Sequence, residues 1–71
     1  MTPEEREAYN TRCREETEAL RVQLEVDCPW LTKAVASRVW SYAWEHGHAS
    51  GYHEVAYVFR DVASLFKPEA V

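Results

Sequence analysis

His46, His48 and His53, together with Cys28, are the residues that could hold a metal ion, and zinc is the ion they suggest. Ser50, His53 and Glu54 are the residues that could build a hydrolytic centre. Both chemistries demand convergence. Zinc requires ligand atoms about 2 Å from one point, usually four of them. On a helix His46 and His53 share a side but stand about 10 Å apart along the axis, with His48 facing elsewhere. The spacing matches no structural-zinc pattern. Nucleophilic catalysis needs a nucleophile, a base and an orienting group around one pocket, whereas neighbouring helical positions diverge. The sequence therefore predicts no metal, no cofactor and no enzyme.

The elements that must position these residues are helical. Thr2 caps a first helix, Pro3 suits its first position, and Glu5 follows three residues after the cap. Tyr9, Cys13, Thr17, Leu20 and Leu24 step by three and four and form one apolar stripe, so a helix is expected over about 3–27. Asp27-Cys28-Pro29 interrupts it, because the residue before a proline disfavours helical geometry. Cys13 and Cys28 would stand about 22 Å apart on that helix, too far for a disulfide, so two free thiols are expected.

A second helix is expected over about 30–66, folded back antiparallel on the first. At 100° per residue, Trp30, Trp40, Trp44, His48, Gly51, Tyr52, Val55, Val58, Phe59, Val62 and Phe66 share about a third of its circumference. That stripe crosses Gly47–Gly51 without a phase jump and favours one continuous helix. Keeping two glycines inside a helix costs about 2 kcal/mol relative to alanine. The alternative is a break at 47–51, with Gly47 ending one helix and Ser50 capping a third.

A continuous second helix would outrun the first and leave Val55, Phe59, Val62 and Phe66 uncovered. Leu31, Val35, Val39, Tyr42 and Tyr57 lie outside the stripe, and a helix apolar on most sides needs more than one neighbour. Both features predict a homodimer packed as a four-helix arrangement. The row Val35, Val39, Ala43, Gly47, Gly51, Val55 reads as a close helix seam. Trp30, Tyr42 and Tyr57 are expected to be exposed or interfacial rings, and His48 a half-buried histidine with a local hydrogen-bond partner.

Net charge is −4, and residues 1–28 carry all of it, with eight acids against four arginines. No basic patch exists to neutralise phosphates, which argues against direct nucleic-acid binding. No apolar run approaches the roughly 18 residues of a membrane span, and Met1–Arg6 lacks the apolar stretch of a secretory signal. A single helical domain in the cytoplasm is expected over 1–71.

The run Ala43-Trp44-x-x-Gly47-His48-Ala49-Ser50-Gly51-Tyr52-x-Glu54-Val55 resembles a segment of small uncharacterised phage-encoded helical proteins. The resemblance carries Trp44, Gly47, His48, Gly51, Tyr52 and Glu54. It implies a bacterial-virus context, the host cytoplasm as location, and a host protein as the partner to be bound and modulated or inhibited. Trp30, Val35, Val39, Tyr42, Tyr57 and Phe59 complete the candidate contact residues for that partner or for the dimer. A competing reading makes the acidic first helix a decoy that occupies a nucleic-acid-binding surface of a host protein.

Overall fold

The computed structural model describes residues 1–68, and these form three α-helices and one short 3-10 turn, with no strand among them. Helix α1 spans Pro3–Asp27. The Thr2 side chain accepts the Glu5 amide at 3.2 Å, as its spacing predicted. The backbone amide of Cys28 closes the other end on the Leu24 carbonyl at 3.0 Å. Helix α2 spans Lys33–Gly47 and starts three residues later than expected. Pro29 and Trp30 lie in a turn that Leu31 N–H closes on the Cys28 carbonyl, and Thr32 caps α2 by accepting the Val35 amide at 3.3 Å. Helix α3 spans Tyr52–Ser64.

The chain is broken between α2 and α3, which corrects the continuous helix. His48–Ser50 form a 3-10 turn, and Gly51 takes φ 107°, ψ 171°. The physical reason lies in the core. Ala36, Val39, Ala43 and Gly47 are the buried residues of α2, and Val55, Ala56, Phe59 and Ala63 those of α3. On one straight helix at 100° per residue these two sets would point about half a turn apart. The break lets them face each other. Trp40 and Trp44 lie between the two sets, about a quarter turn from each; they are only half-buried and border α1 beside Thr17 and Arg21. They carried the false continuity of the stripe. The break is not built as the alternative had it either, since Gly47 is no left-handed helix end and no side chain caps α3.

Packing then follows. α2 and α3 run antiparallel, with Trp40 against Phe59 (centroids 6.5 Å apart). α1 runs antiparallel to α2 and parallel to α3. Thr17 meets Tyr52 near one end, and Arg60 donates to Asp27 at 3.0 Å near the other. Those hydrogen bonds, from Arg60 first and Gln23 second, hold the Asp27 carboxyl below its ordinary value. Leu24, Cys28, Val39, Ala43, Val55, Ala56, Phe59 and Ala63 form the core. Burial pushes the Cys28 thiol up, so it packs there as a small neutral hydrophobe. Both cysteines are free thiols.

The expected length mismatch is reversed. Val55 and Phe59 are fully buried within one chain, so neither needs a second copy to cover it. It is α1 that overshoots: at about 37 Å it outruns α2 by roughly 15 Å. Residues 1–12 are all exposed, and the chain measures 56 × 19 × 16 Å. No helix among the described residues is long and apolar enough to cross a membrane.

Candidate functional site

The break gathers the aromatic motif at one end of the α2–α3 hairpin. Trp44 comes from the last turn of α2, His48 from the 3-10 turn, and Tyr52 from the first position of α3. The His48 ring lies nearly parallel to Trp44, with centroids 5.4 Å apart and planes 12° apart. Its Nδ1 sits 2.6 Å from the Trp44 carbonyl. A carbonyl can only accept, so Nδ1 carries the proton and Nε2 is left as the free nitrogen. Unlike the half-buried residue expected, His48 is exposed.

α1 supplies the opposite wall. Tyr9, Arg12, Cys13 and Glu16 line an open groove of about 390 Å³ with Trp44, His48, Gly51 and Tyr52. The Tyr52 hydroxyl donates to the Cys13 carbonyl at 3.2 Å. The Thr17 hydroxyl reaches the same carbonyl at 2.7 Å and the Tyr52 oxygen at 3.1 Å. The Tyr52 proton thus ties the start of α3 to α1, with the Thr17 hydroxyl beside it shared between the Cys13 carbonyl and the Tyr52 oxygen. Hydrogen bonding with the Cys13 side chain, and then the charge of that thiol, raises the Tyr9 phenol above its ordinary value. Tyr9 remains a neutral donor at its exposed position, and it is no base for Cys13. The groove therefore offers aromatic faces, a neutral phenol, an imidazole nitrogen and one charge of each sign. That combination suits a contact surface for another side chain.

The other histidines point elsewhere. His46 packs tilted against Tyr42, with centroids 4.2 Å apart, and His53 lies beside Tyr57, Arg60 and Asp61 on the outer side of α3. Among the described residues no group of three or more His, Cys, Asp or Glu side chains could hold a metal ion.

The remaining candidates scatter. Val39, Gly47 and Phe59 are buried in the chain's own core; of the small-residue row, Gly47 meets Val55 between α2 and α3 within one molecule, whereas Gly51 is exposed. Trp30 is half-buried and works as a clasp. Its Nε1 donates to the Ala63 carbonyl at 2.8 Å, and Lys67 sits 5.1 Å from its ring centroid. Glu54 is half-buried in the first turn of α3, where the helix dipole favours its charge. Tyr57 is 65% exposed on the outer side of α3, and Val35 and Tyr42 border a separate groove. Sequence reasoning missed Tyr9, Arg12, Cys13 and Glu16 as groove residues. Only the Tyr9–Cys13 end of the α1 stripe could have signalled them.

Gly51 holds the geometry together. Nothing lies within 4 Å of where its Cβ would stand, so side-chain bulk is no obstacle there. Its φ of 107° is the obstacle, because residues other than glycine rarely adopt it. Gly51→Ala is expected to cost about 1–3 kcal/mol of torsional strain. Circular dichroism melts will report it as a lowered midpoint, and an unchanged midpoint would show that the break does not depend on this torsion.

No curated protein and no solved structure matches the chain. A family does match, across nearly all of it. Over residues 2–67, from the α1 cap through the hinge to the end of α3, the chain belongs to a family of unknown function, DUF8546.

Proposed function

We propose that this chain is a phage accessory protein that binds a host bacterial protein in the host cytoplasm and modulates or inhibits it. The observation that carries this reading is the hinge groove. Trp44, His48, Gly51 and Tyr52, all within the segment that resembles phage-encoded proteins, meet there and leave ring edges exposed beside the projecting arm of α1. Aromatic rings with one polar edge are favoured anchors at protein interfaces, since each contributes a large contact area with few torsions to immobilise. Tyr9 and His48 are exposed, and neither belongs to the core cluster, so the partner's contacts would add to the fold's own. A homodimer belongs to the same reading, because apolar side chains outside this groove remain exposed on α2 and beyond α3.

The competing decoy reading rests on the eight acids of residues 1–28. Four arginines are interspersed among them and dilute the field. Salt separates the two. A decoy complex weakens steeply with moderate salt, whereas aromatic anchoring persists.

The test is affinity capture from host lysate, with the retained proteins identified by mass spectrometry. Wild type is expected to retain one host protein, and Tyr9→Ala and His48→Ala to lose it, with about tenfold or greater weakening for each. Tyr57→Ala, on another face, should retain it. If wild type captures nothing, or if all four proteins capture alike, the groove is not the contact site.

A further inference from the structure

The α2–α3 pair has a second side. α1 covers one face of it; on the other, Val35, Arg38, Val39, Tyr42, Val62 and Phe66 line an open groove of about 250 Å³. Tyr42 is 49% exposed and Phe66 53% exposed. We infer that this face receives the same face of a second copy, with the two-fold axis running along the α2–α3 hairpin. The inference rests on the homodimer proposed above and gives it a geometry.

Charge placement selects that occupant. α2 and α3 pair antiparallel, with Gly47 against Val55 near the hinge, Trp40 against Phe59, and Val35 level with Phe66 at the far end. In that register Asp61 and Val62 stand level with Arg38. Arg38 borders the groove on its α2 rim. Asp61 lies one residue from Val62, about 100° further round α3 and away from α2, just outside the groove and beside His53, Tyr57 and Arg60. Among the described residues neither Arg38 nor Asp61 makes an ion pair.

Rotation about the hairpin axis lays α2 of one copy over α3 of the other at equal height. Arg38 of each copy then meets Asp61 of the other, and the two contacts are identical, as an isologous interface requires. Tyr42 and Phe66 are covered between them. An unrelated helix would have to bring both charges at the same heights, whereas a second copy carries them already.

Sedimentation equilibrium tests this. Wild type is expected to dimerise. R38D and D61R should each weaken self-association about tenfold or more, since each places like charges together at both contacts. An equimolar mixture of the R38D and D61R chains should recover a heterodimer, because opposite charges then meet at both contacts. Tyr42→Glu should leave only monomer. Circular dichroism of each variant checks that the fold persists, which exposed positions permit. A dimer indifferent to all three substitutions would overturn this geometry and leave the homodimer standing. A wild-type monomer at millimolar concentration would overturn both.

Discussion

Phe59→Ala is expected to leave the chain without a cooperative thermal transition. Phe59 is fully buried and is among the largest side chains so placed. It stands on α3 against Trp40 of α2 and shares one core with Leu24 of α1, so it contributes where all three helices meet. Truncating a buried phenylalanine costs about 3–5 kcal/mol, part from lost transfer energy and part from the cavity left behind. A chain of this size has a single core that supplies about 3–5 kcal/mol of net stability. The two figures match, so the variant should populate unfolded or loosely packed states at 25 °C. Far-ultraviolet circular dichroism will show weakened helix signal, and the near-ultraviolet tryptophan bands, Trp40 above all, will collapse. Phe59→Leu keeps most of the volume and should cost about 1.5 kcal/mol or less. A Phe59→Ala protein melting within a few degrees of wild type would mean that the core is not centred on this ring.

The sequence made some of this legible and hid the rest for definite reasons. Local signals were readable. Thr2-Pro3 begins α1, and the Asp27-Cys28-Pro29 interruption ends it where the backbone rules place it. The stripe Tyr9, Cys13, Thr17, Leu20, Leu24 is real but graded, from exposed at Tyr9 through half-buried at Cys13 to fully buried at Leu24, because α1 packs on the hairpin only from about Cys13 onward. The break between α2 and α3 is the feature that periodicity hides. Large Trp40 and Trp44 dominate a periodicity reading, yet the face of α2 that enters the core is the small row Ala36, Val39, Ala43, Gly47. Hydrophobic weight marked the α1-facing side, and smallness marked the α3-facing side. The groove was half visible. Trp44, His48, Gly51 and Tyr52 are neighbours in sequence, whereas Tyr9 and Cys13 join them only through the parallel docking of α1 on α3. That docking depends on pairs such as Arg60 with Asp27, 33 residues apart, which no local pattern announces.

Gly47 shows how a structural cause can reverse the sign that propensity assigns. Gly47 is the last residue of α2, with φ −122° and ψ −21°, a conformation open to any residue. Helix propensity by itself says that alanine there should stabilise the chain by up to about 1 kcal/mol. The packing says the opposite. A Cβ at Gly47 would stand 2.9 Å from both the Cα and the amide nitrogen of Val55, and 3.1 Å from the Glu54 carbonyl carbon. These are backbone atoms in the first turn of α3. No side chain can rotate away, so α3 must shift as a unit against a core in which Val55 is fully buried. Overpacking of this kind costs about 1–3 kcal/mol for a small insertion and more for a larger one. Gly47→Ala is therefore expected to lower stability by about 1 kcal/mol or more, and Gly47→Val by about 3 kcal/mol or more, since a β-branched side chain adds two carbons at the point of contact. At about 4–8 °C per kcal/mol for a domain this size, thermal midpoints resolve both easily. The pair also separates this glycine from Gly51, where the strain is torsional. D-alanine at Gly51, introduced by chemical synthesis, should be tolerated because its mirror-image preference fits a positive φ, whereas at Gly47 the φ of −122° disfavours a D-residue. A Gly47→Ala protein more stable than wild type would show that α3 sits further from α2 than the contact at Val55 requires, and the hinge would then owe its shape to Gly51 alone.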